Sequence, residues 1–374
     1  MVPPAEAHVQ QRRFGIPPTT VADQIQGDEG FTSNQSFEPL PAPVGSFPFR
    51  VALNTVLPNL PGDELVFHSV GDTGGIQDPN PQKNVADAMV ADRANAPTPA
   101  FFYHLGDVVY FNGDESEYGP QFYEPYAHYN APIFAIPGNH DGDNSDDPSV
   151  PSLTAFVQNF CSTTPHLDPQ ATEFNRDTMD QPNVYWTLDA APFLTIIGLY
   201  TNVPSGGQVA QDQSAWLVGE LKAADPNLPL IVALHHPPYS ADAHHGSSPA
   251  MRSLLDGAFQ QSGRIPDMVM TGHVHDYQRF TRTIDGRQVP YVVAGAGGYH
   301  NLHTMASGAA AGMQVMPDCV LDQFAADRWG FLRLSVTAAD GVITANYIGV
   351  DKAGAASAVD SFKLDTRAHT VTAA

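Results

Sequence analysis

Basic residues and cysteines are scarce in this chain, and each scarcity excludes a class of protein. The 374 residues include 17 Lys and Arg against 40 Asp and Glu, which gives a formal net charge of −23. An acidic protein gains nothing from counterion release on nucleic acid, so no stable nucleic-acid partner is expected. Two cysteines are too few for a disulfide-rich scaffold, and Cys161 and Cys319 form either one disulfide or two buried thiols.

Long apolar segments are also lacking. The sequence holds no run of about 18 apolar residues, so it predicts no span across a membrane. Residues 1–6 carry neither the basic segment nor the apolar segment of a signal peptide. Two interpretations of this terminus therefore stay open: the protein is made without a signal, or a signal has been removed.

Short apolar runs alternate with helical patterns from residue 64 onward. The five runs that precede a polar cluster are 65–70, 101–105, 133–136, 230–234 and 268–271. The helical patterns cover 80–92, 213–224 and 249–261, the last of them capped by Ser248. This alternation predicts βαβ units and therefore an α/β fold. Later runs over 291–295, 330–336 and 342–347, with an Asp340-Gly341 turn before the last, predict an antiparallel part.

Each of the five apolar runs is followed by residues that can bind a metal ion. With one further histidine pair, these residues form six motifs: Gly71-Asp72-Thr73-Gly74, Gly106-Asp107-Val108-Val109-Tyr110, Gly138-Asn139-His140-Asp141, Val232-Ala233-Leu234-His235, His244-His245 and Gly272-His273-Val274-His275. Ligands of open α/β sheets gather at the carboxyl ends of the strands, so we expect these side chains to converge. Carboxylate, phenolate, amide and imidazole groups suit iron, zinc or manganese. The motifs together predict a two-metal hydrolytic site.

The motifs resemble the signature segments of the calcineurin-like metallophosphoesterases, and among these the purple acid phosphatases. The signatures GDxG, GDxxY, GNH(D/E), VxxH and GHxH all occur, over about residues 66–300. Many members of the superfamily carry a histidine where this chain has Gly74, whereas Tyr110 is typical of the purple acid phosphatase branch. The resemblance implies a four-layer αββα sandwich with mixed sheets and metal ligands at the strand carboxyl ends.

The composition of the chain and the resemblance together predict a domain plan. Residues 1–60 are expected to form an extended arm, with a candidate edge strand over residues 49–56. Residues 61–366 are expected to form a single catalytic domain, and residues 367–374 a short tail. The family favours a secreted or periplasmic location.

The resemblance implies two metal ions and a role for each ligand. The first site is assigned Asp72, Tyr110 and His275; Asp107 bridges the two ions; and the second site is assigned Asn139, His235 and His273. Fe(III) is expected at the tyrosinate site, because a phenolate is a hard anionic donor, and Fe(II), Zn(II) or Mn(II) at the second. The register of the VxxH motif selects His235 over its neighbour His236.

Three further histidines are expected to act on the substrate. In the family, the residue matching His140 contacts the phosphate, and His244 or His245 is expected to protonate the leaving oxygen. A solvated pair on a loop is the alternative for the last two, and His300 and His303 are weaker candidates for substrate contact.

The predicted activity is hydrolysis of small phosphomonoesters by a metal-bound hydroxide at the dinuclear centre. One alternative is a phosphodiesterase or a nucleotide diphosphatase that uses the same site. The other is a metal-binding or interaction protein without catalytic activity.

Overall fold

A computed structural model describes residues 20–27, 40–142, 152–174, 176–177, 179–201 and 207–374. Within these ranges the strands are β1 Arg50–Ala52, β2 Glu64–Val70, β3 Phe102–His104, β4 Ile133–Ala135, β5 Trp186–Ala190, β6 Leu194–Gly198, β7 Leu230–Leu234, β8 Met268–Thr271, β9 Tyr277–Ile284, β10 Arg287–Ala294, β11 Met313–Met316, β12 Cys319–Ala325, β13 Trp329–Thr337, β14 Val342–Val350, β15 Ala356–Asp365 and β16 Thr370–Ala373. The α-helices are α1 Val21–Gln26, α2 Leu53–Val56, α3 Asn80–Asp92, α4 Thr154–Phe160, α5 Gln211–Ala223 and α6 Pro249–Ser262.

The strands form two mixed sheets. One has nine strands in the order β1-β5-β6-β7-β8-β10-β9-β12-β11, and the other has seven in the order β16-β15-β14-β13-β2-β3-β4. Strands β2, β3 and β4 run parallel, and so do β6, β7, β8 and β10, whereas the outer strands pair largely antiparallel. The parallel strands therefore occupy one region of each sheet, as the alternating apolar runs predicted.

The two sheets pack face to face, with helices on the outside. Phe134 of β4 contacts Trp186 of β5 at a ring-centroid distance of 5.5 Å, and Tyr277 of β9 stacks on Tyr347 of β14 at 4.1 Å. Helix α3 lies on the seven-stranded sheet, and α5 and α6 lie together on the nine-stranded sheet. Strands β2, β7 and β8 are almost entirely buried, as expected where helices cover parallel strands. The predicted αββα sandwich is confirmed.

The predicted helices are close to those observed. Ser248 caps α6, because its side chain accepts a hydrogen bond from the Met251 amide. Asn80 is the first residue of α3, and its side chain donates to Asp78. Strands β5, β6, β9, β11, β12, β15 and β16 were not predicted.

The ends of the chain differ in detail from the predicted plan. The edge strand expected over residues 49–56 is β1, which is shorter because the chain turns into α2 at Leu53. Residues 370–373, predicted as part of a tail, form β16, which pairs with β15. The β-branched residues of this segment suit an edge strand. Residues 1–19 and 28–39 of the predicted arm lie outside the described residues, so the domain plan stays a prediction.

The question that the sequence left open about the two cysteines has a structural answer. Cys161 and Cys319 are unpaired, and both thiols are buried, which raises their pKa values. No helix among the residues described is long and apolar enough to cross a membrane.

A buried polar contact joins helix α3 to the seven-stranded sheet. The Asp92 carboxylate accepts from His68 of β2 and from Arg333 of β13, each at 2.9 Å. Burial opposes ionisation of Asp92, but the hydrogen bonds from His68 and Asn95 and the charge of Arg333 outweigh it and lower the pKa to about 2. This carboxylate therefore stabilises the fold in its ionised form.

We expect Asp92→Asn to lower the free energy of unfolding by about 1–3 kcal/mol near neutral pH, because the Arg333 guanidinium and the His68 N–H lose their anionic acceptor. The folded-state pKa of Asp92 lies below its ordinary value of 3.8, so the contribution is present above that pH. It is lost as the pH falls toward about 2. Urea denaturation at several pH values would measure this. Asp87→Asn, which removes only the exposed pair with Lys83 on the same helix, is the control and should cost less.

Candidate metal centre

The metal-binding motifs meet where the two sets of parallel strands end. Asp72, Asp107 and Asn139 follow β2, β3 and β4 of one sheet, and His235 and His273 follow β7 and β8 of the other. Since parallel strands present their carboxyl ends at one edge, each sheet contributes its ligands from one side. The predicted convergence of these side chains is observed.

Unusual backbone geometry directs several of these side chains into the cleft. Asp72, Asp107 and His273 have positive φ angles of 57°, 53° and 68°. Non-glycine residues rarely adopt this conformation, and those that do are enriched at functional sites. A Cβ atom at Gly138 would collide with the Asp107 carboxylate and backbone nitrogen. The glycine of the GNH motif is therefore needed so that two motif loops can lie against each other.

One donor cluster contains Asp72, Tyr110 and His275. The Tyr110 hydroxyl lies 3.5 Å from Asp72 Oδ1 and 3.4 Å from His275 Nε2, and His275 Nε2 lies 3.6 Å from Asp72 Oδ1. His275 Nδ1 is 3.1 Å from the Asn301 carbonyl oxygen, which can only accept, so Nδ1 carries the proton. The Nε2 lone pair then faces the other two donors, as a ligand requires.

A second donor cluster contains Asn139, His235 and His273. Asn139 Oδ1 lies 3.1 Å from His235 Nε2 and 3.0 Å from His273 Nδ1. His235 Nδ1 donates to the Leu105 carbonyl oxygen at 2.8 Å, which leaves the lone pair on Nε2. The VxxH register thus selected the histidine that faces the cleft, because the neighbouring His236 turns to Thr201 instead.

Asp107 lies between the two clusters. Its Oδ2 is 3.4 Å from His235 Nε2, while its Oδ1 accepts from the His140 amide at 2.9 Å. Asp107, His235 and His273 each offer a ligand atom, and these atoms lie within 4.8 Å of one another, so the three side chains can hold one ion. His235 Nε2 is also 4.0 Å from Asp72 Oδ1, which brings the clusters together.

The electrostatics of the cleft favour positive charge. Burial lowers the pKa of His235, but the carboxylates of Asp107 and Asp72 outweigh it and raise the pKa to about 9. Burial raises the pKa of Asp72. Burial and the charges of Asp107 and Asp72 raise the pKa of Tyr110 far above its ordinary value. The raised pKa of His235 shows that the carboxylates of Asp107 and Asp72 attract positive charge, and the raised pKa values of Asp72 and Tyr110 show that burial disfavours their anionic forms unless a cation is nearby.

Gly74 departs from the superfamily pattern for a steric reason. A Cβ atom at this position would lie 2.6 Å from Cδ2 of Tyr110, so the tyrosine ring occupies the space that a larger side chain would need. Tyr110 is fixed by its neighbour Gln121, which accepts from the Tyr110 amide at 3.0 Å and donates to its carbonyl at 2.8 Å. The position of the Tyr110 ring therefore requires a glycine at position 74.

The predicted substrate histidines lie around the two clusters at different depths. His140 is half-buried, and its Nδ1 donates to the Phe111 carbonyl at 2.9 Å. The His245 ring lies 4.5 Å from that of His273, whereas His244 lies 4.7 Å from His303. His245 thus has ring contacts with two predicted ligands, since its ring also lies 6.5 Å from that of His275. His303 lies against His275 at 4.3 Å and is itself buried, and His300 contacts the Tyr299 ring.

Sequence reasoning missed three residues that shape the site. Asp141, quoted in its motif without a role, accepts from the amides of Val108 and Gly138 at 2.9 and 2.8 Å and so ties two motif loops together. Tyr299 stacks beside Tyr110 at 4.3 Å. Asp242 contacts His303. Asp141 could be suspected from its motif, but neither Asp242 nor Tyr299 lies in one.

Comparison with known proteins agrees with this geometry. The sequence profile described as calcineurin-like phosphoesterase matches residues 67–277, which hold every predicted metal ligand. The chain belongs to the calcineurin-like phosphoesterase family. Its similarity to purple acid phosphatases confirms the resemblance inferred from the motifs.

Several curated relatives of this chain are plant proteins. Purple acid phosphatase 21 of Arabidopsis thaliana is 27% identical over 44% of this chain and 44% of its own length. Purple acid phosphatase 22 of the same plant is 30% identical over 33% of this chain and 29% of its own length. Purple acid phosphatase 1 of Ipomoea batatas is 26% identical over 61% of this chain and 46% of its own length. The chain thus matches less than half the length of each relative.

Solved structures share the fold at low sequence identity. The purple acid phosphatase PPD1 from yellow lupin seeds superposes with a TM-score of 0.60 and 15% identity, over 83% of this chain and 55% of the other. GAP50, described as the anchor in the inner membrane complex of Plasmodium, gives 0.56 and 15%, over 81% and 89%. At these identities the likeness shows the architecture alone.

We expect Gly138→Ala to lower the free energy of unfolding by about 1–3 kcal/mol, since the added methyl group must displace Asp107. Metal uptake should fall as well, because Asp107 belongs to the set of side chains that can hold an ion. Thermal denaturation and elemental analysis would measure both effects. Gly219→Ala in helix α5, where a Cβ atom meets nothing within 4 Å, is the matched control and should leave metal uptake unchanged. Normal metal content in Gly138→Ala would contradict this account of the loop packing.

Proposed function

We propose that this phosphoesterase hydrolyses small phosphomonoesters with two metal ions held in the described cleft. The observation that carries the proposal is the pair of donor clusters that meet at Asp107, each with a histidine whose protonated Nδ1 leaves Nε2 facing the cleft. A fold neighbour described as an anchor shows that the architecture alone does not argue for catalysis. The argument for hydrolysis comes from the donor clusters and from the histidines around them.

The residues present fit two ions of different character. Asp72, Tyr110 and His275 would hold the first ion, and two anionic oxygens beside one imidazole suit Fe(III). Asn139, His235 and His273 would hold the second, where a neutral amide and two imidazoles suit Fe(II), Zn(II) or Mn(II). Asp107 lies between both sets and would bridge them. When bound, such ions polarise phosphoryl oxygens and lower the pKa of water.

The chain's own residues would orient the substrate and move protons around it. His140 donates Nδ1–H to the Phe111 carbonyl, and in its imidazolium form it would also donate Nε2–H to a phosphoryl oxygen. His245 lies beside His273, and from there it would give a proton to the leaving oxygen. The motif loops are tied to each other through Asp141, which keeps the cleft preorganised.

We expect Asp107→Asn to reduce turnover to background and to release at least one metal ion, since an amide is a poor bridge between two cations. Steady-state hydrolysis of p-nitrophenyl phosphate and elemental analysis of the same preparation would test this. A substrate panel should include an alkyl monoester, a bis-aryl diester and a nucleoside diphosphate. The proposal predicts the highest kcat/KM for the monoesters.

The outcomes separate the proposal from its alternatives. Retained activity in Asp107→Asn would contradict the bridging role. A preference for the diester or for the diphosphate would replace the phosphomonoesterase by the corresponding activity at the same site. Absence of turnover on every phosphoester by metal-loaded wild type would favour a metal-binding protein without catalytic activity.

A further inference from the structure

The loop that carries the histidine pair is organised around one buried carboxylate. Asp242 is completely buried, and its Oδ2 accepts three hydrogen bonds: from the His244 amide at 3.1 Å, from the His245 amide at 2.7 Å and from His303 Nδ1 at 3.0 Å. Burial opposes ionisation of Asp242, but its contacts with His303 and His245 outweigh this effect and lower its pKa. An ionised carboxylate only accepts, so His303 Nδ1 is the donor.

His303 connects this carboxylate to the metal centre. Its amide donates to the His275 carbonyl at 3.0 Å, and its ring lies 4.3 Å from the His275 ring. The same ring lies 4.7 Å from His244 and 5.0 Å from His245. His303 therefore fills the space between a predicted metal ligand and the histidine pair.

The loop is also held from outside by the amino-terminal helix α1. Gln24 donates to the Ala243 carbonyl at 3.1 Å, and its own carbonyl accepts from the Ser247 amide at 2.8 Å. The path of the loop is thus set at several points. Loss of Asp242 should consequently disturb the orientation of the histidine pair without unfolding the loop.

We propose that Asp242 and His303 form a positioning pair that fixes His245 beside the metal centre, at the side where the leaving group departs. The inference rests on the proposed function, since it assigns the part of the site that acts on the leaving oxygen. The pair acts through His245, whose ring contacts those of both His273 and His275 at 4.5 and 6.5 Å. Neither Asp242 nor His303 needs to touch the substrate.

The test is the dependence of the rate on the leaving group. An alkyl phosphate needs a proton on its leaving oxygen, whereas p-nitrophenolate leaves readily without one. Asp242→Asn should therefore lower kcat for the alkyl ester on the order of 10-fold to 100-fold, and affect the p-nitrophenyl ester far less. Metal content should equal that of the wild type.

A second variant and a double variant separate positioning from general damage. His303→Asn keeps an N–H donor for Asp242 but removes the ring, and it should show the same loss on the alkyl ester. If the two residues act as one unit, the double variant should lose little more than either single variant. If Asp242→Asn does not fold, His303→Asn tests the proposal by itself.

Asp267→Asn is the matched control. Asp267 is also buried and accepts a backbone hydrogen bond, from Leu230 at 2.9 Å, but it precedes β8 at the end of the strand opposite to the site. This variant should lose stability while the ratio of alkyl to aryl rates stays unchanged. In zinc-loaded wild type, a downfield NMR signal of the His303 Nδ1 proton should be present, and it should shift strongly in Asp242→Asn.

Each result decides a separate claim. Equal losses on both esters in Asp242→Asn and in His303→Asn, or no loss in either, would overturn the positioning pair while leaving the proposed function intact. Inactivity of the metal-loaded wild type on every phosphoester would overturn the proposed function and this inference with it.

Discussion

The rest of the structure depends on one constraint, the crowding of lone pairs at one edge of the two sheets. These lone pairs lie at the carboxyl ends of β2, β3, β4, β7 and β8. Two carboxylates, a tyrosine oxygen, an amide oxygen and three imidazoles share a cleft in which Asp72, Asp107 and His235 are almost inaccessible to water. Such donors repel one another unless positive charge compensates them. The raised pKa values of Tyr110 and His235 indicate the same need for positive charge in the cleft. Two bound cations would supply this positive charge. The αββα scaffold, which crowds the donors together, is therefore suited to binding metal ions.

The scaffold holds these donors in place through backbone features rather than through the ligands themselves. Positive φ angles at Asp72 and Asp107 point their side chains inward, and Gly138 lets the neighbouring loop approach. Asp141 then ties two of the loops through their amides. Around this rigid base, the histidine pair is carried by a loop that depends on Asp242 and on helix α1. The motif loops and the loop of the histidine pair are thus held in place by separate sets of contacts.

The sequence predicted the features that are local in the chain. Strand β7 is an apolar run followed by His235, so its type, its burial and the position of that histidine at its carboxyl end could all be predicted from a short segment. Strand β15 could not be predicted in this way. Buried and exposed residues do not alternate in its first six residues, and its structure depends on pairing with β14 and β16. The contact of Asp242 with His303 could not be predicted either, since the two residues lie 61 positions apart in the sequence. Gly74 was noticed as a departure, but only the structure explains it, through the positions of Gln121 and Tyr110.

Visible absorption spectroscopy of the iron-loaded, oxidised protein tests the central claim most directly. If Tyr110 binds Fe(III), a tyrosinate charge-transfer band should appear in the wild type and vanish in Tyr110→Phe. Tyr299→Phe, which alters the ring stacked on Tyr110 at 4.3 Å, should keep the band and serves as the control. A colourless oxidised protein with full iron content, or a band that persists in Tyr110→Phe, would contradict the assignment of Tyr110 and the two-metal centre built on it.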